Sequence, residues 1–390
     1  MRLLFAIVAT LPFLSTQLGQ ASPARANEIE VTFRLHCPNL PAETLVYLTG
    51  NLPALGNWKP DAVRLQYAGD QLWIHRLLLK KPYTLEYKYT LGSWSKEGAD
   101  ASGHPLQNLV VPVNASQVIE DRIEHWTRRQ PQKPQGQITG TVKYHRQLAA
   151  EGIRSRDVIV WLPPGYDASA DRYPVLYMHD GQNLVDPATS AFGVDWQVDE
   201  TCTRLISEGA IEPLIVVGVY NTPDRSQEYL PGPKNSAYTR FLIEQLKPLI
   251  DAEYHTRPSR DHTYVGGSSA GGLCAFMLVW EHSDVFSKAL CMSPAFQAEK
   301  TDGTSATDYV ATVSSSQRPS EPVYFYLDNG GIGLEQRLQP GIDQMLEALQ
   351  AQGFRPDQDY HWMHAPQARH AESAWAKRFP QALKLLLGGD

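Results

Sequence analysis

The chain has 390 residues, of which 42% are hydrophobic and 20% charged; this ordinary globular balance excludes a wholly disordered protein. Its net charge of −7 argues against a nucleic-acid or anionic-membrane surface, because either would need clustered lysine and arginine. The four cysteines are too far apart for a zinc site, so no metal is predicted, and their spacing does not define disulfide pairs.

Residues 1–26 predict a secretory signal peptide. Arg2 precedes a short apolar run that continues to Leu14, and Ala24-Arg25-Ala26 forms an A-x-A cleavage site. Cleavage is expected after Ala26, with Ala21 as the second choice. An uncleaved anchor is disfavoured, since a membrane span needs about 20 apolar residues. The mature protein is therefore expected to be exported, either periplasmic or secreted, with no membrane span.

Residues 27–125 predict a small antiparallel β-sandwich. Ile29–Leu35 alternates apolar and polar residues, and short apolar runs at Leu45–Leu48, Leu72–Ile74 and Leu85–Tyr89 are separated by turn residues. Residues 126–139 are interpreted as a linker, because they contain a polar, proline-containing stretch without apolar periodicity.

Residues 140–390 predict a mostly parallel sheet with helices on both faces. Continuous apolar strands alternate with helical patterns, as expected when both faces of a sheet are covered. The predicted strands are Val158–Leu162, Val175–Met178, Leu214–Val217, Ala289–Met292 and Val323–Leu327. One predicted helix is capped by Ser236, and another runs from about Glu335 to Gln352.

Gly267-Ser268-Ser269-Ala270-Gly271 is a G-x-S-x-G sequence between a predicted strand and a buried helix. A strand that turns sharply into a helix holds its serine in a strained conformation, and the glycines prevent clashes beside it. The helix N-terminus supplies N–H groups for a developing oxyanion. Ser269 is therefore the predicted nucleophile of an α/β-hydrolase fold.

The base and the acid are expected after the last two strands. Three histidines lie near the C-terminus, and His370 is preferred because it is on a loop before a helix; His361 and His364 are expected to be structural. The acid is either Asp328 or Glu335, and the position of Glu335 just past a glycine-rich loop slightly favours it.

The oxyanion donors are predicted in two places. The strand at Val175–Met178 leads into a loop where the N–H of Gly181 or Gln182 is a natural donor. The N–H of Ala270, directly after the nucleophile, is the other donor. Trp196 and Tyr229 are candidate walls of the substrate pocket.

The large domain resembles the esterase-D-type family of α/β-hydrolases, which includes feruloyl and acetyl-xylan esterases and enterochelin-type siderophore esterases. The resemblance covers about residues 140–387 and is carried by Tyr177–Leu184, Gly267–Gly271 and Arg369–Trp375, with Val216–Asn221, Arg225 and Glu228-Tyr229 in support. It implies that Ser269 is the nucleophile and His370 the base.

The small domain resembles starch-binding modules of the CBM20/CBM48 type. The similar segments are Val46–Asn51, Leu55–Trp58, Trp73, Glu86–Tyr89 and Trp94. The resemblance implies a sugar platform of Trp58, Lys88 and Trp94, since aromatic faces stack on the apolar faces of sugars. The alternative is that the tryptophans belong to the core of a sandwich that only spaces or shapes the catalytic domain.

Together these features predict an exported serine carboxylic ester hydrolase that acts on feruloyl- or acetyl-type esters of carbohydrates and needs no cofactor. The expected partners are a small-molecule or polysaccharide ester and, through the small domain, a glucan. Three alternatives stay open: a siderophore esterase, an acyltransferase with the same triad, and a catalytically silent carbohydrate-binding protein.

Overall fold

The computed structural model describes residues 28–103, 105–127, 136–191, 193–298 and 307–387. The predicted signal peptide and residues 128–135 of the predicted linker lie outside these ranges. The chain divides into two compact units, Met1–Pro131 and Gln132–Asp390. The division falls inside the segment that the sequence assigns to the linker.

The first unit is all-β, as its alternating pattern predicts. Val31, Phe33 and Leu35 point into its core and are fully buried, and Trp73 is buried with them. Its strands are β1 (Ile29–His36), β2 (Tyr47–Gly50), β3 (Val63–Arg64), β4 (Gln66–Tyr67), β5 (Leu72–Leu79), β6 (Tyr83–Thr90), β7 (Gly98–Ala99), β8 (Leu109–Val113), β9 (Gln117–Arg122) and β10 (His125–Trp126).

Two four-stranded sheets make up this unit, with strand orders β4-β5-β1-β9 and β3-β2-β6-β8, and β10 pairs with β7. The expectation of a purely antiparallel sandwich is wrong at one edge, because β9 pairs with β1 in parallel. A parallel neighbour needs a long connection, and the intervening strands β2 to β8 provide it by lying mainly in the other sheet.

The second unit contains an eight-stranded mixed sheet. Its strand order is β11-β12-β14-β13-β15-β16-β19-β20. The β11-β12 and β12-β14 pairs are antiparallel, and every pair from β14 to β20 is parallel. The strands of this unit are β11 (Thr141–Ala150), β12 (Ile153–Leu162), β13 (Val175–His179), β14 (Ile215–Val219), β15 (Thr263–Ser268), β16 (Lys288–Met292), β17 (Gln297–Ala298), β18 (Thr307–Asp308), β19 (Tyr324–Ile332) and β20 (Tyr360–Arg369).

Helices cover both faces of this sheet, so the mostly parallel α/β prediction is confirmed. They are α1 (Val198–Ser207), α2 (Arg225–Tyr229), α3 (Pro233–Arg240), α4 (Lys247–Glu253), α5 (Ala270–Glu281), α6 (Tyr309–Ser315), α7 (Leu334–Ala351) and α8 (Glu372–Leu387). A π-helical turn at Phe241–Leu246 joins α3 to α4. One apolar cluster packs α5 and α7 against the sheet, and a second packs α1 and α8 against the other face.

Helix α5 lies deepest, with every residue from Ala270 to Trp280 buried. A helix that is apolar all round requires this placement. All four cysteines are likewise buried, and they are free thiols. Among the described residues, no helix is both long and apolar enough to cross a bilayer.

Candidate active site

Ser269 lies in a strained turn between β15 and α5. Its φ of 58° and ψ of −124° fall in a region that a residue with a side chain rarely adopts. A Cβ added to Gly267 would lie 2.8 Å from the carbonyl carbon and oxygen of Gly271, so the turn requires a glycine there. The turn is also fixed by its neighbours: the Ser269 N–H donates to Met292 O at 2.9 Å, and the Ala295 N–H donates to Ser269 O at 3.1 Å.

The loop after β13 packs against the first turn of α5. A Cβ on Gly271 would lie 3.3 Å from His179 Cβ and 3.5 Å from an Asp180 carboxylate oxygen. Asp180 has a φ of 58°, after which Gly181–Asn183 form one 3₁₀ turn. Since β13 and β15 are parallel neighbours, the structure brings Gly181 and Gln182 to the same sheet edge as Ala270.

His370 contacts a carboxylate at this edge. Its Nδ1 lies 3.2 Å from Glu335 Oε2, and the Glu335 side chain is fully buried while that of His370 is 15% exposed. His370 follows β20, and Glu335 stands in the first turn of α7 after β19. A Cβ on Gly330 would lie 2.7 Å from Glu335 Cγ, so the glycine-rich end of β19 leaves room for this carboxylate.

The second oxygen of Glu335 accepts a hydrogen bond from Ser293. Ser293 Oγ lies 2.8 Å from Glu335 Oε1, and it also accepts N–H groups from Trp375 at 3.1 Å and Arg378 at 2.9 Å. Because both nitrogens are obligate donors, the single hydroxyl proton of Ser293 is directed to Glu335. Glu335 Oε2 is thereby left to accept the Nδ1 proton of His370.

Asp328, the other candidate acid, is occupied elsewhere. It is fully buried and accepts Arg378 Nε at 2.9 Å and Nη2 at 3.1 Å. The Tyr326 hydroxyl and the Ser293 N–H, each at 3.1 Å, complete its partners. Burial raises its pKa, although Arg378 opposes the shift. Of the two carboxylates left open by the sequence, Glu335 is therefore the one hydrogen-bonded to His370.

The other two C-terminal histidines have structural partners. His361 Nδ1 lies 2.8 Å from an Asp357 carboxylate oxygen, and His364 Nε2 lies 3.1 Å from Gly330 O. Neither contact involves Glu335, which agrees with the structural role expected for both.

The two predicted pocket walls are buried instead of lining accessible surface. Trp196 is 3% exposed and packs on Trp375 at a ring distance of 5.5 Å, because α8 covers it. Tyr229 is fully buried, and its hydroxyl accepts the Asp180 N–H at 3.1 Å. Tyr229 thus supports the loop after β13, and Trp196 belongs to the core.

An ion pair beside that loop was not assigned a role from the sequence. Arg225 donates to both oxygens of Asp180 at 2.7 Å each, and Asn221 Nδ2 donates to the same carboxylate at 2.5 Å. Burial alone would raise the pKa of Asp180, but Arg225 and these hydrogen bonds outweigh it and hold the pKa low. The Asn221 N–H also donates to Gln182 Oε1 at 3.1 Å. In the sequence, Asn221 and Arg225 stood out only as parts of the segments that resemble the esterase-D-type family.

The three predicted sugar contacts of the first unit differ in exposure. Trp94 is 40% exposed, and Trp58 is half-buried with a φ of 63°. Lys88 instead forms an ion pair with Glu97 at 2.5 Å, and both side chains are largely covered. This pairing arises because Glu97 forms a β-bridge with Thr90, which brings its carboxylate beside the end of β6.

The mixed sheet, its two helical layers and the strained serine turn define the α/β-hydrolase class. Residues 151–386 match the family described as "Putative esterase", so the chain belongs to this family and is a carboxylic ester hydrolase. Residues 28–119 match the starch binding domain family.

Three known proteins are similar to this chain. An uncharacterized Bacillus subtilis protein, YjcH, is 25% identical over 64% of this chain and 98% of its own length. An endo-1,4-beta-xylanase/feruloyl esterase of Xylanibacter ruminicola is 24% identical over 51% of this chain, which spans only 25% of that relative. The solved enterobactin esterase of Shigella flexneri has a TM-score of 0.52 at 16% identity and covers 93% of this chain and 94% of its own.

Proposed function

We propose that this chain is an exported serine esterase that uses Ser269, His370 and Glu335 to cleave acyl esters of carbohydrates. The observation that carries the proposal is the contact between His370 Nδ1 and the buried Glu335 carboxylate. It holds the imidazole with Nε2 free to serve as a base, at the same sheet edge as the strained turn of Ser269.

In this mechanism Ser269 Oγ attacks the ester carbonyl, and His370 Nε2 accepts its proton. The tetrahedral oxyanion is bound by the N–H of Ala270, where the first N–H groups of a helix have no partner within the helix. The second donor comes from Gly181 or Gln182. His370 then protonates the leaving alkoxide, and water releases the acyl group by the reverse sequence.

Two observations support an acyl-carbohydrate substrate. Residues 28–119 match a starch binding domain, which would hold the enzyme on a polysaccharide. One relative is named as a xylanase/feruloyl esterase. The export proposal rests on the signal-type pattern of residues 1–26, and N-terminal sequencing of the exported protein should begin at Asn27.

The catalytic proposal is tested by steady-state hydrolysis of p-nitrophenyl acetate. We expect Ser269→Ala to lose at least about 10³-fold in kcat, because a triad nucleophile has no substitute. Ser268→Ala is the matched control, since its side chain is buried in β15 next to the same turn. Equal enzymatic rates for the wild type and Ser269→Ala would exclude the proposed nucleophile, and a wild type without turnover above background would favour a catalytically silent protein.

Substrate class is tested with methyl ferulate, acetylated xylan and a catecholate trilactone on the same enzyme preparation. Preference for either of the first two supports the carbohydrate-ester proposal, whereas preference for the trilactone contradicts it and favours siderophore hydrolysis. Adding an acceptor sugar and measuring acylated product distinguishes an acyltransferase.

The sugar platform is tested by retention on insoluble starch. Trp58→Ala and Trp94→Ala should each weaken retention by up to about 10-fold, because aromatic stacking contributes roughly 0.5–1.5 kcal/mol and about 1.4 kcal/mol corresponds to a tenfold change in affinity. Tyr67→Ala is the control, since Tyr67 is a 43% exposed aromatic residue of the same unit outside the proposed platform. Equal retention of all three variants would remove the platform.

A further inference from the structure

Arg156 lies near the beginning of β12, beside the chain that follows β14. Strand β12 runs antiparallel to β14, and Val158 pairs with Val219 at the end of β14. The Tyr220 N–H then donates to Asp157 O at 3.0 Å. Since β14, β13 and β15 are parallel neighbours, the beginning of β12 lies at the sheet edge where the strained serine turn stands.

The Arg156 guanidinium forms a buried ion pair with Glu228 of α2. Its Nη2 donates to one carboxylate oxygen at 2.7 Å and its Nη1 to the other at 3.1 Å, and neither side chain is exposed. The guanidinium also lies over the rings of Tyr238 and Phe241, at 5.0 and 5.6 Å from their centroids. A bidentate contact fixes the relative orientation of two groups, whereas the cost of removing both charges from water offsets much of its contribution to stability.

Helix α2 connects this ion pair to the loop after β13. The Tyr229 hydroxyl accepts the Asp180 N–H, and Arg225 donates to both oxygens of the Asp180 carboxylate. Glu228 belongs to the same five-residue helix as both of these residues. A displacement of Glu228 therefore moves the two groups that hold Asp180, the residue directly before Gly181.

A second set of contacts reaches the same loop through Tyr238. The Tyr238 hydroxyl lies 2.9 Å from His179 Nδ1, and the Arg156 guanidinium rests on the ring of that tyrosine. His179 immediately precedes Asp180 in the chain. Arg156 thus supports the loop from two directions, through α2 and through Tyr238.

The other ion pairs between β12 and this region are more exposed. Asp224, at the N-terminal end of α2, pairs with Arg154 at 3.0 Å and with Lys234 at 2.6 Å, and the two cationic side chains are 61% and 37% exposed. Exposed pairs contribute little, because water and salt screen them. The buried pair between Arg156 and Glu228 is therefore the contact that best fixes the orientation of α2 against β12.

We propose that Arg156 and Glu228 are positioning residues of the oxyanion hole, because their ion pair sets the placement of the Gly181–Gln182 donor relative to Ser269. The inference rests on the proposed serine-esterase function and adds residues that do not touch the ester. An oxyanion donor is effective only when its N–H points to the developing charge, and removal of one donor costs about 10²–10³ in kcat. A displaced donor should lose part of this factor, about tenfold.

The test measures kcat and KM of the full chain for p-nitrophenyl acetate. Arg156→Lys keeps the charge but cannot form the bidentate contact, so kcat should fall about tenfold with KM within about twofold. Arg146→Lys is the matched control on the neighbouring strand. Arg146 pairs with Asp157 at 2.7 Å but is 57% exposed, and its partner lies outside α2. Its kcat should stay within about twofold of the wild type.

The double variant Arg156→Met/Glu228→Leu separates positioning from folding. Replacement of a buried ion pair by apolar side chains is often neutral, so the Tm should stay within about 5 °C of the wild type. The apolar pair has no directional contact, so kcat should still fall about tenfold. A pair with only a structural role would give normal kcat once the fold is intact.

Phenylboronic acid provides a readout of the oxyanion hole itself. Its adduct with an activated serine is tetrahedral and carries an oxygen at the oxyanion position, so its Ki should rise by the same factor by which kcat falls. Normal kcat in the double variant would overturn the positioning role, and so would an unchanged Ki in Arg156→Lys. Loss of kcat in Ser269→Ala under the same conditions would then leave the proposed nucleophile intact, whereas full kcat in Ser269→Ala would overturn both proposals.

Discussion

Removing one hydroxyl, by Ser293→Ala, should damage both stability and turnover. Ser293 Oγ donates to Glu335 at 2.8 Å and accepts from Trp375 and Arg378. The side chain keeps its Cβ, so the strain of its positive φ of 45° is unchanged and only these hydrogen bonds are lost.

The magnitude follows from the groups left behind. Two of the three bonds involve a charged partner and contribute about 1.5–3 kcal/mol each, while the neutral bond from Trp375 contributes about 1 kcal/mol. Arg378 keeps its bonds to Asp328, which softens the loss. We expect the free energy of unfolding to fall by about 3–5 kcal/mol in urea denaturation.

Turnover should fall because Glu335 loses the bond that fixes one of its oxygens. We expect kcat for p-nitrophenyl acetate to drop about 10–100-fold, or ~1.4–2.7 kcal/mol, with KM within about twofold. Ser287→Ala is a closely matched control. Ser287 is a 6% exposed serine immediately before β16, whereas Ser293 follows that strand, and its hydroxyl has no hydrogen-bond partner. If the two variants lose stability and kcat equally, the proposed support of Glu335 is refuted.

Three further outcomes are expected. Arg225→Lys keeps the charge but loses the bidentate contact with Asp180, so kcat should fall about tenfold with little change in KM. An unchanged kcat would contradict a role of Arg225 in positioning the loop after β13. Gly267→Ala should destabilise the fold by about 1–3 kcal/mol in urea unfolding, because its Cβ meets the Gly271 backbone. Burial lowers the pKa of His179 to about 4. As pH falls from about 6.5 to 4, the His179 imidazole therefore takes up a proton in the unfolded chain but not in the folded one, and the free energy of unfolding should drop by ~3 kcal/mol. If His179 is the cause, the free energy of unfolding should depend less on pH in His179→Gln than in the wild type.

Local features of the catalytic domain were predictable, because they depend on neighbours in sequence. The strand, turn and helix around Ser269 are encoded by adjacent glycines and a continuous apolar run. Helix α7 spans Leu334–Ala351, within a residue of its expected bounds, since Gly333 and Gly353 flank it. The helix expected to be capped by Ser236 instead begins at Pro233, because proline at the first helical position is already preorganised.

Features that depend on distant residues were not predictable. Asp328 stayed open as an alternative to the slightly favoured Glu335 until Arg378, fifty residues beyond Asp328, was seen to hold that carboxylate. Trp196 is covered by α8, which the chain forms almost two hundred residues later. Spacing along the sequence carries no information about either contact.

The four buried thiols have a practical consequence. Burial raises the pKa of Cys37 to about 12 and raises the pKa of the other three as well, so the reactive thiolate is scarce in the native state. An alkylating reagent will therefore modify each cysteine only when its surroundings open. Cys37 belongs to the first compact unit and the remaining three to the second. Mass spectrometry of timed alkylation thus gives separate opening rates for the two units in one unmodified protein, without any engineered label.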